Sequence, residues 1–330
     1  MTTRQVLMSA KGHARAAAEL AQFDGLDIIC LNAGGVFTRN GAAIAAEEVD
    51  PEVFWASLDL HYDGLLGDFF RTVLKGSRGK WVQLFNAGLD NPAFRKLMEK
   101  GVRLTKSDAQ SSAIAEYVIA HAFSLLHPIA EQAAAQAAHD WKRIEFREIA
   151  STRWLMLGYG PIGQAIATRL APFGAKLDVI RRSPASDPHV ARFGTDADIA
   201  AWLPDADVVV LACPLNDATR GLADAAFFAA MKPGAILINI ARGEIVDDTA
   251  LRAGLARQQP AFAVLDVLPV EPLPADSWHW DHPQVRVTAH CSNAGDGPPA
   301  RGAARFVDNL RRYLAGEPLY NEASRSEVGL

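Results

Sequence analysis

Arg242, Glu271 and His290 are three polar residues whose types together serve one chemistry. Each stands just past a stretch that reads as a strand: Asn239-Ile240-Ala241-Arg242-Gly243-Glu244, Leu265-Asp266-Val267-Leu268-Pro269-Val270-Glu271-Pro272, and Val287-Thr288-Ala289-His290-Cys291-Ser292. Open α/β sheets build their sites at such strand ends. An arginine can bind a carboxylate and polarise the ketone beside it. A histidine can give a proton to a developing alkoxide, and a glutamate can orient that imidazole and stabilise its charge. Reduction of a 2-oxoacid by hydride transfer needs these three functions together.

A hydride donor needs a binding site, and the sequence supplies one. Trp154-Leu155-Met156-Leu157 runs into Gly158-Tyr159-Gly160-Pro161-Ile162-Gly163 and then into the helical stretch QAIATRLAPFG. This is G-x-G-x-x-G between a strand and a helix, the setting in which the motif reads as a dinucleotide site. Gly158 permits the tight turn, Gly160 lets the backbone approach a pyrophosphate, and Gly163 lets helix and strand pack closely. Pro161 carries no N–H, so Ile162 and its neighbours must supply the phosphate donors. Eighteen residues past Gly163, where an acidic residue would hold a ribose 2′-hydroxyl, stand Arg181, Arg182 and Ser183. Two guanidiniums and a hydroxyl suit a 2′-phosphate instead, so NADP(H) is expected in preference to NAD(H), with NAD(H) possible.

The elements that must position these groups follow from hydrophobic pattern. Gln5–Met8, Asp27–Leu31 and Lys80–Phe85 read as strands and His13–Phe23 as a helix, an alternation that indicates parallel βαβ units. The stretch Gly34–Gly79, with Pro51 and the aromatics Phe54, Trp55, His61, Tyr62, Phe69 and Phe70, is read as mostly helical. Ser111–His127 has apolar residues at helical spacing with serines able to cap it, and alanine-rich sequence continues to about His139. A second βα series follows, with strands at Trp154–Leu157, Lys176–Ile180, Val208–Ala212, Ala235–Asn239, Ala263–Val267 and Val285–Thr288. These are the ingredients of a doubly wound sheet. An amphipathic helix over about Ala300–Leu314 precedes Gly316, a C′ glycine.

Composition bounds the rest. The 330 residues are 49% hydrophobic and 22% charged, with a formal net charge of −5, which suits about two globular domains and excludes disorder. No apolar run approaches the ~18–20 residues of a bilayer span, and the N-terminus has no apolar core behind its basic residue, so neither a membrane protein nor a secretory signal is expected. Cys30, Cys213 and Cys291 are odd in number and widely spaced, which suits a reducing cytoplasm and no disulfide framework. The mildly acidic balance gives no footprint for nucleic acid. His279, His282, His290 and Cys291 lack a second ligand pair at metal spacing, so no metal is expected. Neighbours on an extended segment point to opposite faces, so His290 would not activate Cys291 as a nucleophile; Cys30 and Cys213 are read as buried.

The ordered motifs KWVQLFNAGLD, LTKSDAQSSAIAEYVIAHAFSLL, GYGPIG, CPLNDATRGL, MKPGAILINIARGEIVDDTAL, LDVLPVEPLP and TAH resemble the D-isomer-specific 2-hydroxyacid dehydrogenases over about Lys80–Asn321. That family includes phosphoglycerate dehydrogenase, formate dehydrogenase and glyoxylate/hydroxypyruvate reductase. The resemblance implies an α/β chain of two Rossmann-like doubly wound domains with the active site in the cleft between them. A discontinuous substrate domain would comprise residues 1–105 and 300–330, and the dinucleotide-binding domain residues 106–299. It implies Arg242 as the substrate-binding arginine, Glu271 as the partner of the histidine and His290 as acid/base. The backbone N–H groups of Ala87 and Gly88 would hold the substrate carboxylate. Asp266 would meet the nicotinamide carboxamide, and Pro214, Thr219 and Ala241 would line the cofactor site beside Tyr159 and the glycine loop. The basic strand end is similar to that of NADPH-linked glyoxylate/hydroxypyruvate reductases, and residues 112–139 are similar to the family's dimerisation arm, implying a homodimer.

The chain departs from the family at several positions. Ala289 stands where the family usually has a proline, and Ser292-Asn293-Ala294 where a glycine or small residue is common. Residues 34–79 resemble no family segment and are expected to face the substrate pocket in part. Glu271 stands where the formate dehydrogenases carry glutamine, which disfavours that branch. The leading expectation is an NAD(P)H-dependent reductase of a small 2-oxoacid. A non-catalytic NADP(H)-binding sensor or scaffold on the same fold is the alternative, and an enzyme running chiefly as a dehydrogenase of a sugar acid or phosphorylated hydroxy acid a third.

Overall fold

The computed structural model describes residues 3–89 and 91–330. The chain forms two compact units, residues 1–110 with 296–330, and residues 111–295.

The first unit is built on a seven-stranded sheet. Its strands are β1 (Arg4–Ser9), β2 (Leu26–Leu31), β3 (Phe37–Arg39), β4 (Ala42–Ala43), β5 (Val53–Trp55), β6 (Trp81–Gln83) and β7 (Arg103–Thr105), in the order β4-β3-β2-β1-β5-β6-β7. All neighbours are parallel except β2–β3 and β3–β4. Successive residues of a strand serve opposite faces, and here they feed two separate cores. Leu7, Phe54 and Val82 pack on one side, and Val6, Met8, Val53, Trp55 and Trp81 on the other. The final helix, Pro298–Ala315, returns to this unit, stacking Phe306 on Trp55 at 4.7 Å and on Trp81 at 5.7 Å, and it ends at Gly316 with φ +71°.

Residues 34–79 are not mostly helical. They contribute a β3–β4 hairpin and the central strand β5, with α-helices at Leu58–Tyr62 and Leu66–Lys75 and a 3-10 turn at Ala46–Glu48. Val53-Phe54-Trp55 is buried on both faces, so it shows no period-two alternation by which a strand could be recognised. Most of the aromatics there are core: Phe54, Trp55, Phe69 and Phe70 are buried, while His61 and Tyr62 are exposed.

The second unit carries β8 (Arg153–Leu157), β9 (Lys176–Ile180), β10 (Arg192–Gly194), β11 (Val208–Leu211), β12 (Ile236–Asn239), β13 (Phe262–Leu265) and β14 (Val285–Val287). The order is β10-β9-β8-β11-β12-β13-β14, parallel throughout. The six strands read from sequence are present, and β10 is a seventh at the edge, too short and too polar to stand out. Alternation again divides the core: Leu155, Val209 and Leu237 face one helix layer, Trp154, Met156, Val208, Val210 and Ile238 the other. Helix Ser111–Leu126 buries Ile114, Ala115, Val118 and Ala122 in that second layer. No single helix among the described residues is long and apolar enough to cross a membrane.

Candidate active site

β8 delivers the glycine loop. Gly158 has φ +105°, and a Cβ there would lie 2.5 Å from the Ala212 carbonyl oxygen on the neighbouring strand end, so both dihedral and space demand glycine. Gly160 caps helix Pro161–Leu170, with Pro161 in its first turn, where a missing N–H costs nothing. A Cβ on Gly160 would meet no atom within 4 Å, so the helix N-terminus opens onto free space. Beside it lies a cavity of about 230 Å³ bounded by Gly158, Tyr159, Arg181, Arg182, Ser183, Pro214 and Thr219. Thr219 Oγ1 donates to the Pro214 carbonyl at 2.7 Å and accepts from Asn216 N at 2.8 Å, which fixes that wall. Open backbone at a helix N-terminus and two guanidiniums on one cavity fit the pyrophosphate and ribose end of a dinucleotide.

β12 delivers Arg242. Asn239, fully buried, accepts from Ala241 N at 3.0 Å and donates to the Arg242 carbonyl at 2.9 Å, so one amide side chain shapes the turn around both residues. The Arg242 guanidinium donates to the Ala241 carbonyl at 2.6 Å. A Cβ on Gly243 would lie 1.9 Å from the Leu268 carbonyl carbon. The Arg242 turn therefore presses directly on the segment that leads to Glu271.

β13 and β14 deliver the other two. Glu271 Oε1 accepts from Leu268 N at 3.0 Å, and its Oε2 lies 2.8 Å from His290 Nδ1. With Nδ1 engaged by the carboxylate, Nε2 is the ring nitrogen left for proton transfer. Both side chains are well exposed, at 47% for His290 and 38% for Glu271, so the pair is open to a ligand. Ala289 and His290 both have positive φ, +45° and +54°. A proline, locked near −65°, could not stand at 289 in this turn; the departure from the family's residue and the path of the backbone go together.

Asp266, at 1% exposure, has a role that sequence reading missed. Its Oδ1 accepts from Thr288 Oγ1 and Cys291 N, both at 2.8 Å, and from Ser292 N at 3.0 Å, while its carbonyl accepts from His290 N at 2.7 Å. The same carboxylate assigned to the carboxamide from sequence thus anchors the histidine turn. Only its position at the end of an apolar strand hinted at this.

In the first unit, β6 leads into Ala87 and Gly88. The Asn86 side chain donates to the Gly88 carbonyl, Asn86 O accepts from Ser107 N at 3.0 Å, and Gln110 donates to the Phe85 carbonyl at 3.0 Å. His61 stacks on Phe85 with ring centroids 5.8 Å apart.

The other candidates resolve as structure. His279 Nε2 lies 2.7 Å from Asp248 Oδ1, and its Nδ1 pairs with Ser277 Oγ. Cys30 and Cys213 are half-buried rather than buried, Cys30 on the partly open face of β2 and Cys213 just beyond the end of β11. Burial pushes the Cys213 thiol up to about 11, and burial together with Asp266 raises the exposed Cys291 thiol, which disfavours thiolate chemistry.

The model of the NAD-binding domain of D-isomer specific 2-hydroxyacid dehydrogenases matches residues 119–292. The chain belongs to this family. As a D-isomer specific 2-hydroxyacid dehydrogenase it falls among the NAD(P)-dependent oxidoreductases. It is 33% identical to D-3-phosphoglycerate dehydrogenase of Mycobacterium leprae over 72% of its own length and 46% of that protein's. It is 30% identical to glyoxylate/hydroxypyruvate reductase A of Serratia proteamaculans over 73% of its own length and 78% of that protein's. A crystal structure of a family member from Xanthobacter autotrophicus Py2, in complex with NADPH and MES, is 30% identical and superposes with a TM-score of 0.79 over 99% of this chain and 100% of that one.

Proposed function

We propose that this dehydrogenase reduces a small 2-oxoacid to the 2-hydroxy acid with NADPH, His290 acting as acid/base. The observation that carries the reading is the 2.8 Å contact between His290 Nδ1 and Glu271 Oε2. A sensor or scaffold that only binds the dinucleotide has no use for an exposed, carboxylate-backed imidazole.

The bound nicotinamide supplies the hydride. The chain's own groups do the rest. The Ala87 and Gly88 amides and the Arg242 guanidinium hold the substrate carboxylate, and Arg242 polarises the ketone. His290 Nε2 gives its proton to the oxygen as it becomes an alkoxide, and Glu271 stabilises the imidazolium before transfer and keeps the ring oriented. Ile162 and its neighbours offer their N–H groups to the pyrophosphate, and Arg181, Arg182 and Ser183 take the 2′-phosphate. NADPH bound to the Xanthobacter relative supports that preference.

The reading includes a cytoplasmic homodimer. Trp141 is fully exposed, and Ile129 and Phe146 are each more than half exposed, on or just after the helix Ile129–Ala137. A second copy covering them would bury that apolar surface. Sedimentation at micromolar concentration tests it: dimers for the parent and monomers for Trp141→Glu are expected.

The activity test is loss of NADPH absorbance with a panel of 2-oxoacids, glyoxylate and hydroxypyruvate among them. Turnover that disappears in His290→Ala is the expected result. NADPH binding without turnover of any 2-oxoacid would leave the sensor reading in its place.

A further inference from the structure

We propose that Tyr117 is a positioning residue for the acid/base, holding the His290 turn through Thr288 and Asp266. The inference rests on His290 acting as proposed above, and adds to it a residue that lies 173 positions away in sequence.

Tyr117 projects from helix Ser111–Leu126, and its hydroxyl lies 2.6 Å from Thr288 Oγ1. Thr288 Oγ1 in turn lies 2.8 Å from Asp266 Oδ1. The direction of this chain follows from the groups. An ionised carboxylate only accepts, so the single Thr288 proton goes to Asp266, and the Thr288 oxygen must accept from Tyr117. Burial holds the Tyr117 phenol well above its ordinary value, against a smaller opposing effect of Thr288, so it stays a donor at any working pH.

The turn has a reason to need such a tie. Two successive residues, Ala289 and His290, lie in the left-handed region, at ~1–2 kcal/mol each for L-residues. No proline ring stiffens position 289. What holds the turn is Asp266, which receives Thr288 Oγ1 and the amides of His290, Cys291 and Ser292. Tyr117 fixes Thr288 from outside the turn, and Arg286, whose Nη1 donates to Ser124 at 2.6 Å, fastens the same strand to the same helix two residues earlier. His121 packs on the Tyr117 ring at 4.3 Å and is kept below its ordinary range by burial and Arg286, so it brings no proton into the network near neutrality. Without the phenol, Thr288 loses its donor, and the start of the turn is free to swing.

The test compares Tyr117→Phe, Thr288→Val, Thr288→Ser and the double variant Tyr117→Phe/Thr288→Val, with melting temperature confirming that each is folded. The expected result is a kcat about tenfold lower for Tyr117→Phe with KM for NADPH within twofold, and His290 ring resonances that broaden in NMR spectra. Thr288→Ser should keep at least half the activity, and the double variant should be no worse than Thr288→Val alone. An unchanged kcat with unchanged His290 resonances in Tyr117→Phe overturns the proposal. So do losses that multiply in the double variant, or a loss carried by NADPH affinity. Full activity of His290→Ala would instead bring down the catalytic reading beneath it, and the NMR comparison would still report on the tie itself.

Discussion

His290 Nδ1 and Glu271 Oε2 meet at 2.8 Å across two strand ends, and the second carboxylate oxygen of Glu271 is held by Leu268 N. The carboxylate is therefore fixed to its own loop before it orients the imidazole. Glu271→Gln keeps the shape but removes the charge. We expect kcat to fall ~10–100-fold while KM for NADPH stays within twofold, measured by steady-state kinetics.

Arg242 is expected to act on substrate rather than on cofactor. Arg242→Ala should lower kcat/KM for the oxoacid ~100-fold or more, because a carboxylate loses its charge-assisted partner. NADPH affinity, read by fluorescence titration, should change less than twofold. Equal losses in both would contradict the assignment.

Arg181 and Arg182 line the cavity beside the glycine loop. Replacing Arg181 with Asp should cut the NADPH-over-NADH ratio of kcat/KM ~10–100-fold, by removing a donor to the 2′-phosphate and adding an acceptor for a 2′-hydroxyl. A ratio that survives removal of both arginines would place the ribose elsewhere.

Gly243 answers a question of space. Any side chain there would collide with the Leu268–Pro269 backbone, 1.9 Å away at its nearest atom. Gly243→Ala must push apart the Arg242 turn and the Glu271 segment together. We expect ~1–3 kcal/mol of lost stability by denaturant titration, with activity lost well below the unfolding midpoint.

Asp207, 3% exposed, accepts from Lys232 at 2.6 Å, from Arg153 N at 2.8 Å and from Arg147. Burial would raise its carboxyl, but Lys232, the Arg153 amide and Arg147 together hold it below the usual range. A depressed carboxyl stabilises the fold at pH values above its unfolded value, near 4, and that contribution is lost as pH falls through the folded value. Asp207→Asn should therefore cost ~2 kcal/mol at pH 7. This is less than for a fully buried pair, since Lys232 and Arg147 are each more than a third exposed. The difference from the parent should shrink below about pH 4 in urea melts.

The second unit was the more legible in sequence, for a physical reason. Its central strands are apolar over residues 154–157, 208–211 and 236–238 and separated by helices, and glycine punctuates the turn at 158. The strand β5 was hidden because three buried residues, followed directly by the buried Ala56 and Ser57, look like part of any core element. The segment 34–79 was expected to face the substrate pocket in part, yet its aromatics at 54, 55, 69 and 70 fill the two cores of the first unit, where their large apolar surface is removed from water.

Residue type and order, local properties of the chain, determined which chemistry is available here: a guanidinium, a carboxylate and an imidazole after successive strands, and a glycine turn before a helix. Tertiary structure alone decided which atoms meet. Nothing in the spacing of Tyr117, Asp266 and Thr288 reveals that they join, because a hydrogen bond depends on ångströms set by sheet register and helix packing, not on separation along the chain.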